Sequence, residues 1–529
     1  MKDFTWFTSA MVDQDVLTPT SPGCDALYLD YNCLIHYVLN HYDYSKISEI
    51  ELEEQIITQI FMYTRKLVNS VVMPTKLLYI AMDGPVPNVK LCKNRDSLYK
   101  KQFDEHVERG LGSNPPRFNS NAVAPGTQFM EKLHDRIRGM IGLNTFSMNV
   151  CFSDSNEVGE GAVKIFTHIR EMCRVNGAQS VVIYGTSFDL FVLCMVNDLT
   201  IHLCQEDDNG KFKFLHTLSC VVKFFDTKNL LHRFKTNPKK ILLELVLVLM
   251  FGGNDYVHPL YFTRSRGNGI ELLLQEFSTD TYNLVNLADT TICWSEVCRL
   301  LSKVAKHESA FNSSLTESHT TPDVEDGIQF YRHGLLSDDR HVMHKAYTHK
   351  LIVSTYWKPE YYQNVIGVDY SERNIDEVCN DYMNSIMWYW DYHVNGAVAS
   401  WTYCYAYNAA PSVSDLMLRM TNHQPRWYFK TDEFDGSYPS AFTQLLTVLP
   451  RTNHHFLPEC FRTLCTTPSS PIASQYPQDE TKIDFDLSSN KMTHARPILP
   501  KYNVMTNQHF VNLLRTAFTD DELKRDAVK

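Results

Sequence analysis

Short apolar runs alternate with amphipathic stretches through roughly the first 290 residues of the chain. The apolar runs are ALYLD (26–30), KLLYIAM (76–82), FSMNVCF (146–152), SVVIYG (180–185) and LTIHLC (199–204). Helix-like periodicity lies between and after them, near residues 50–70, 127–141, 160–174 and 239–251. Alternation of this kind predicts an α/β fold, with a mostly parallel sheet and helices on both faces.

The pattern changes in the second half of the chain. Residues 265–345 are polar and weakly periodic, and FNSSLTESHTTPDVEDG (311–327) is the clearest linker. Aromatic residues then dominate up to about residue 415, and the tail 506–526 is predicted to form one last helix. We therefore expect a domain over residues 1–290, a variable linker over 291–345, and a mainly helical, aromatic-rich second region over 346–529.

Acidic side chains follow the predicted strands. Asp30 ends the first strand, Asp83 follows the second, and Glu160 lies in the turn after the third. Asp189 comes shortly after the fourth strand, and Asp255 follows the apolar helix that ends near residue 251. Ligands bind at the carboxyl ends of parallel strands. Acids converging there would repel one another unless a hard cation such as Mg²⁺ or Mn²⁺ were bound.

A simpler interpretation treats each acid separately. Aspartate at a strand end is a common turn former or helix N-cap, and it needs no metal to be there. The joint placement of all the acids at one end of the sheet favours a metal cluster. Both interpretations stay open at this point.

Composition and charge exclude few classes of protein. A net charge of -11 argues against a general polyanion binder, although a local basic channel remains compatible with it. The fourteen cysteines include no CxxC pair, so a zinc ribbon and a thioredoxin motif are not indicated. No apolar window approaches a membrane span, and the first residues lack the apolar core of a signal peptide. We expect an intracellular, monomeric protein without membrane contact, in either cytoplasm or nucleus.

Several blocks resemble one known family. They are LYLDYNCLIH (27–36), FNSNAVAPGTQFM (118–130), VGEGAVKIF (158–166), VVIYGTSFDLFVL (181–193), MFGGNDYVHP (250–259), WYWDYHVNGAVASWTYCYAYNAAPSVSDL (388–416), LLTVLPRTNHHFLPECFRTL (445–464) and SPIASQYPQD (470–479). In this order they resemble the catalytic core of the XRN family of 5′→3′ exoribonucleases. The resemblance implies a Rossmann-like fold similar to flap endonucleases and PIN-type nucleases, with an acidic site for two metal ions.

The resemblance assigns a role to each acid. In that family seven acids hold the two ions, and this chain retains Asp30, Asp83, Glu160, Asp189 and Asp255. The other two positions have changed, to Ala162 in the GEGE motif and to Ser187 in the DxD motif. We expect two Mg²⁺ or Mn²⁺ ions if the protein is active, with weakened metal binding and a reduced rate.

The resemblance also implies a pocket for a 5′ monophosphate within DGPVPNVKLCKNRDSLYKKQF (83–103). Lys90 matches the first pocket residue, Asn94 replaces a glutamine, and Ser97 and Leu98 replace two arginines. The remaining basic residues keep phosphate attraction possible, although a solvated lysine-rich helix face is an equal alternative. They are Lys93, Arg95, Lys100 and Lys101.

Two side chains match a base-stacking site. His36 follows the first acidic motif, and Trp401 is the preferred aromatic partner, with Tyr403 as second choice. Trp388 and Trp390 are expected in the core.

Three functions remain open after the sequence alone. The first is a metal-dependent 5′→3′ exoribonuclease that degrades single-stranded 5′-monophosphate RNA. The second is a catalytically inactive relative that binds RNA or a protein as a scaffold, with protein partners unknown. A flap-type endonuclease ranks last, because the second-half blocks are absent from flap nucleases.

Overall fold

The computed structural model describes residues 17–110, 117–143, 145–176, 180–185, 187–197, 201–207, 209–263, 269–308, 357–422, 438–486 and 496–527. Within these ranges, seven strands form the central sheet in the order β1-β7-β6-β5-β2-β3-β4. They are β1 Leu17–Thr18, β2 Ala26–Asp30, β3 Leu77–Ala81, β4 Asn149–Ser153, β5 Val181–Tyr184, β6 Ile201–Glu206 and β7 Phe212–His216.

Five neighbouring strands, in the sheet order β6-β5-β2-β3-β4, are parallel, as the alternation of apolar and amphipathic runs predicted. Strand β2 lies at the centre, with Ala26 opposite Leu77 on one side and Val181 on the other. The register continues to Asp30 opposite Ala81, so strand ends that carry acids lie side by side. Strands β7 and β1 add an antiparallel edge beyond β6, which the sequence pattern did not predict.

Helices cover both faces of the sheet. Those of the first 308 residues are α1 Tyr31–His41, α2 Glu49–Lys66, α3 Asn88–Gly110, α4 Gln128–Gly142, α5 Gly161–Asn176, α6 Phe188–Val196, α7 Thr217–Thr227, α8 Leu231–Thr236, α9 Pro238–Met250, α10 Gly269–Thr279 and α11 Trp294–Ala305. Alternate strand residues divide between two cores because successive side chains point to opposite faces. Leu27 and Leu29 pack with α1, α2 and α4, whereas Tyr28 packs with α5, α6 and α9.

The second region is mainly helical, as predicted. Its helices are α12 Trp357–Tyr361, α13 Glu372–Trp390, α14 Val413–Asn422, α15 Ala441–Val448, α16 Glu459–Thr466, α17 Val504–Leu514 and α18 Asp520–Arg525. Two short hairpins complete the described structure, β8 Val285–Asn286 with β9 Thr291–Ile292, and β10 Asp484–Asp486 with β11 Arg496–Ile498. Helix α13 packs into the core on the α5–α6 face of the sheet, so the second region extends the first core.

One local expectation was wrong. The tail forms two helices instead of one, because Thr519 and Glu522 make a capping box that starts α18 after a break at Phe518. The polar stretch from residue 265 contains helices α10 and α11, whose apolar stripes pack on neighbouring helices. Helix α11 begins inside the predicted linker, and residues 311–327 lie outside the described residues. The domain boundaries stay a prediction.

Candidate active site

The turn before α5 is shaped by its glycines. Gly159 has a φ of 101°, a left-handed conformation that glycine adopts without strain. A Cβ atom at Gly161 would lie 3.4 Å from Asp83 Oδ1 and 3.5 Å from Asp30 Oδ1. Because Gly161 has no side chain, two carboxylates from neighbouring strands approach the N-terminus of α5. The Gly161 N–H donates to Asp83 Oδ1 at 2.7 Å.

Asp30 is buried at the end of β2 and caps α1. Its Oδ1 accepts the Cys33 N–H at 3.4 Å, and its Oδ2 accepts from the Cys33 thiol at 3.2 Å. Burial and then the adjacent Asp83 carboxylate raise the pKa of Asp30 to about 7, although the hydrogen bonds from Cys33 lower it. Burial and then Glu160 raise the pKa of Asp83 in the same way. These carboxylates therefore lie close enough together to disfavour each other's ionisation.

Glu160 accepts from groups of three different elements. The Lys90 ammonium, on the first turn of α3, lies 2.9 Å from Glu160 Oε2. The Tyr256 hydroxyl donates to Glu160 Oε1, and the Tyr392 hydroxyl donates to the same oxygen at 3.3 Å. Sequence reasoning missed both tyrosines. No local pattern pointed to them, because they lie 96 and 232 residues from Glu160 along the chain.

Lys90 also lies close to the two remaining acids, Asp255 and Asp189. Its ammonium lies 3.0 Å from Asp255 Oδ2, and Lys93 lies 3.9 Å from Asp255 Oδ1. Burial opposes ionisation of Asp255, but Lys90 and Lys93 outweigh it and lower the pKa of Asp255 to about 2. Asp189, in the first turn of α6, lies near the same lysine. Burial raises the pKa of Asp189 to about 7, despite the opposing charge of Lys90.

The loop that carries Asp255 is held by local contacts. Gly253 has a φ of 85°, and a Cβ atom there would lie 2.6 Å from Pro259 Cδ. The Asn254 side chain accepts the N–H groups of Tyr256 and Val257, each at 2.9 Å. An asparagine turn of this kind fixes the loop backbone, so that Asp255 faces Lys90 and Tyr256 faces Glu160.

The five retained acids thus meet at one edge of the sheet, as predicted. If all are ionised they carry -5, and Lys90 supplies +1, which leaves -4 among these six groups. Their oxygen atoms are the donors that Mg²⁺ and Mn²⁺ prefer. Among the described residues, no group of three or more His, Cys, Asp or Glu is arranged as a ready metal cage. The donor chemistry fits a divalent cation, but an ion bound between Glu160 and Asp255 must displace Lys90.

The two altered positions have structural roles here. Ala162 is half-buried and packs against the core on the α5–α6 face. Ser187 caps α6, since its hydroxyl accepts the Leu190 N–H at 3.2 Å. The Ser187 hydroxyl therefore stabilises the start of α6, as the Asp30 carboxylate stabilises the start of α1.

The basic residues of α3, the helix expected to hold the phosphate, lie in two different environments. Lys90 and Lys93 face the acids, and Asn94 is half-buried one residue further along the helix. Leu98 packs in apolar clusters with the second region, so its position contributes no phosphate contact. Lys100 pairs with Asp104, and Lys101 pairs with Glu105 and Ser120.

The prediction that Arg95 binds substrate was wrong. Its guanidinium is buried and donates to the Pro500 carbonyl at 2.8 Å and to the Gln475 carbonyl. It also lies over the rings of Tyr99 and Tyr502, at 5.3 Å and 5.1 Å. Arg95 thus ties α3 to the C-terminal part of the chain, and its charge is not available to a phosphate.

The two stacking candidates lie on segments connected to the acidic edge. His36 is exposed on α1, the helix that begins directly after Asp30. Trp401 is half-buried, and its carbonyl accepts the Asn88 N–H at 2.9 Å at the start of α3. Its ring meets Tyr438 edge-on, with centroids 4.6 Å apart. The Tyr403 hydroxyl is engaged by Asp381 at 2.9 Å, which favours Trp401 of the two.

Trp388 and Trp390 belong to the core, as expected. Both are buried, and their indole N–H groups donate to the carbonyls of Ser400 and Thr290 at 2.8 Å and 2.7 Å.

Comparison with known proteins identifies the family. A model of the XRN 5′-3′ exonuclease N-terminus matches residues 3–206, and a model of the Xrn1 helical domain matches residues 350–527. The chain belongs to the XRN family. The sheet with its flanking helices is consistent with the PIN-like fold of XRN proteins, and the helical region corresponds to the second match.

Relatives named as exoribonucleases align with most of the chain. The 5′-3′ exoribonuclease 1 of Homo sapiens is 24% identical, over 87% of this chain and 31% of its own length. That of Schizosaccharomyces pombe is 22% identical, over 99% of this chain and 49% of its own length. The 5′-3′ exoribonuclease 2 of Arabidopsis thaliana is 24% identical, over 98% of this chain and 65% of its own length. The chain thus spans from about a third to about two thirds of these relatives.

XRN nucleases as a family depend on divalent metals, which agrees with the oxygen donors collected here. Within the described ranges, no helix combines the length and apolar character that a membrane crossing requires.

Proposed function

We propose that this chain is a divalent-metal-dependent 5′→3′ exoribonuclease that degrades single-stranded RNA with a 5′ monophosphate. In this proposal two Mg²⁺ or Mn²⁺ ions are held by Asp30, Asp83, Glu160, Asp189 and Asp255. One observation carries it: five acids from five separate elements converge at one edge of the sheet. There Lys90 pairs directly with Glu160 and Asp255, and the ammonium groups of Lys93 and Lys164 lie nearby.

The electrostatics of the cluster support the metal. Burial, more than any other cause, raises the pKa of Asp30 and of Asp189 to about 7, so both carboxylates are costly to keep ionised without a cation. Two divalent ions carry +4, against -5 on the five ionised acids once Lys90 is displaced. A fold that kept these acids only for stability would be expected to pair each with its own cation or to replace it.

Bound divalent ions would supply a hydroxide nucleophile and stabilise the leaving oxygen of the phosphodiester. The chain's own residues would then bind and orient the RNA. Lys90, displaced from Glu160 and Asp255, would meet the 5′ phosphate together with Lys93 and Asn94. Because Leu98 contributes no charge and Ser97 replaces an arginine, we expect weaker discrimination between 5′ ends than two arginines would give.

Stacking would hold the first base without reading its identity. His36 and Trp401 both lie beside elements that start at the acidic edge, α1 and α3. Aromatic stacking tolerates every base, which suits an enzyme that moves along RNA one nucleotide at a time.

A second candidate is a catalytically inactive RNA-binding scaffold. It is favoured by the loss of a carboxylate at Ala162 and at Ser187, and by the ion pairs of Lys90 with Glu160 and Asp255. In that case RNA would bind near α3 and stay intact.

An assay with 3′-labelled single-stranded RNA separates the two candidates. The exoribonuclease proposal expects stepwise shortening from the 5′ end in Mn²⁺ or Mg²⁺, fastest for 5′-monophosphate RNA. Asp83→Asn should abolish the reaction, whereas Asp479→Asn, a surface aspartate outside the cluster, should leave it unchanged. Intact RNA bound equally well by all three proteins would establish the scaffold.

A further inference from the structure

A buried chain of polar side chains in mutual contact, called the relay below, reaches the turn that carries Glu160. It starts on α4, where Glu131 and His134 are both buried and lie one turn apart. His134 Nδ1 lies 3.3 Å from Glu131 Oε2, and His134 Nε2 lies 3.1 Å from Ser155 Oγ. Ser155 is fully buried, directly after the end of β4.

The geometry assigns the tautomer of His134. The Ser155 N–H points to His134 Nε2 at 3.4 Å, and a backbone N–H can only donate. Nε2 is therefore the accepting nitrogen, and the proton of the ring is placed on Nδ1, facing Glu131. The ring thus connects the Glu131 carboxylate to the backbone of the turn, a geometry suited to positioning. Since Ser155 is enclosed by protein, this arrangement has no access to a substrate.

The other end of the relay is the last helix. The Lys524 ammonium on α18 pairs with Glu131 Oε1 and lies 3.4 Å from Asp135 Oδ1. The hydrogen bond from His134 and the nearby Lys524 ammonium lower the pKa of Glu131 to about 2, although burial acts in the opposite direction. Arg525 anchors the same helix, because it donates to the Gly126 carbonyl at 2.7 Å.

The turn itself links the relay to the acids. Asn156 donates to the Lys524 carbonyl at 3.5 Å, so α18 contacts the turn directly as well. Further along, Gly159 N–H donates to the Pro85 carbonyl at 2.8 Å, and its own carbonyl accepts from Gly84 at 2.9 Å. A Cβ atom at Gly84 would lie only 1.7 Å from the Glu157 carbonyl oxygen, so the two loops are in close contact. The backbone from 155 to 159 is therefore held on both sides before it reaches Glu160.

We propose that α18 positions Glu160 for metal binding through the relay Lys524–Glu131–His134–Ser155. His134 is a positioning residue: it touches neither the acids nor the substrate, and it acts by fixing the turn. This inference rests on the proposed function for its metal, but the relay itself can be tested without one. Residues that orient metal ligands typically change metal affinity about 10–100-fold when they are replaced.

The test compares full-length variants with the wild type in two measurements. The first is hydrogen exchange of the amides of residues 154–160 in the presence of EDTA. The second is a Mn²⁺ titration by calorimetry, with RNA cleavage measured at low and at saturating Mn²⁺. The variants are His134→Leu, His134→Gln, which keeps an acceptor near Ser155, and Lys524→Met. Lys482→Met is the matched control, since this exposed lysine pairs only with Asp479 in the described structure.

The relay predicts faster exchange of the turn and an about tenfold weaker Mn²⁺ affinity in His134→Leu. Lys524→Met should show a smaller loss, His134→Gln should recover most of the affinity, and Lys482→Met should match the wild type. Cleavage at saturating Mn²⁺ should remain close to the wild-type rate, because the ligands themselves are unchanged.

The outcomes separate the two proposals. If turn exchange and Mn²⁺ affinity are unchanged in both His134→Leu and Lys524→Met, the relay is overturned while the exoribonuclease proposal stands. If the wild type binds no Mn²⁺, the metal-dependent function fails, and the exchange measurement alone decides whether the relay holds the turn. Should His134→Leu fail to fold, Lys524→Met and His134→Gln decide in its place.

Discussion

The ammonium nitrogen of Lys90 lies 2.9 Å from Glu160 Oε2, inside the cluster where a divalent cation is expected. The same nitrogen lies 3.0 Å from Asp255. Lys90 thus lies between Glu160 and Asp255, where in the proposed function it would compete with a metal ion. The position would connect metal binding to phosphate binding, because a lysine released by the metal would be free to meet the 5′ phosphate.

Replacement of Lys90 by methionine tests that competition. In EDTA, Lys90→Met should unfold at a lower temperature, because removing one partner of a buried ion pair costs about 3–5 kcal/mol. Mn²⁺ should stabilise the variant more than it stabilises the wild type, since no ammonium competes for Glu160 and Asp255. Preference for 5′-monophosphate RNA should be lost.

Lys93→Met is the matched control in these thermal melts. Lys93 is half-exposed and lies 3.9 Å from Asp255, so its loss should cost only about 0–1 kcal/mol. A smaller Mn²⁺ effect on Lys90→Met than on the wild type would show that Lys90 assists metal binding instead of opposing it.

Restoring the two altered acids should strengthen the site. Ala162→Glu adds a carboxylate in the first turn of α5, where the helix dipole favours it. Ser187→Asp keeps an N-cap for α6, because aspartate caps helices as well as serine does. We expect the double variant to need about tenfold less Mg²⁺ for half-maximal cleavage. The measurement is the Mg²⁺ dependence of the initial rate, and an unchanged curve would place the defect elsewhere.

The raised carboxyl pKa values predict a pH dependence of stability. Asp30 and Asp189 have pKa values near 7 in the folded protein, against a value of about 3.9 for an unperturbed aspartate. Between these pH values each folded carboxyl binds more protons than in the unfolded state, so these two groups make the metal-free protein less stable as pH rises from about 4 to about 7. Burial lowers the pKa of His393 to about 3, which gives the opposite slope up to about pH 6.5. The lowered pKa of Asp255 also acts with the opposite sign, but only below about pH 4.

Melting temperatures at several pH values check this prediction. In EDTA the melting temperature of the wild type should fall relative to that of Asp30→Asn between pH 5 and pH 7.5, because the histidines are common to both proteins, and Mn²⁺ should stabilise the wild type increasingly over the same interval. A difference between the two proteins that stays constant or changes in the opposite direction would contradict the account of the cluster.

Trp401 provides a test of base stacking. Its backbone carbonyl caps α3 whatever the side chain is, so Trp401→Ala should leave that helix start in place. Losing one stacked base is expected to weaken single-stranded RNA binding by about 1–3 kcal/mol. Trp401→Phe should retain most of the affinity in a fluorescence-anisotropy titration. If both variants bind RNA as the wild type does, Trp401 serves only to pack against Tyr438.

The sequence predicted the sheet and the acidic edge well, for a physical reason. Apolar runs such as ALYLD must be buried, and parallel strands bring their carboxyl ends together, so Asp30 and Asp83 were expected to be neighbours. The antiparallel edge strand β7 was missed, since FKFLH is short and follows a turn close to β6.

The errors concern contacts that only the folded chain creates. Arg95 appears basic and available in the sequence, but the segments around Gln475 and Pro500 fold over α3 and bury its guanidinium. In the same way, the hydroxyls that hold Glu160 come from Tyr256 and Tyr392, the latter 232 residues away in the chain. Local patterns carry no information on such distant contacts.

Nucleotide release from single-stranded 5′-monophosphate RNA tests the central claim most directly. The wild type and Asp255→Ala are incubated in parallel with Mg²⁺ or Mn²⁺, and released mononucleotides are separated and counted over time. We predict progressive release of mononucleotides by the wild type, none in EDTA, and none by Asp255→Ala. Equal inertness of both proteins toward RNA that they still bind would contradict the assignment of this site as a nuclease.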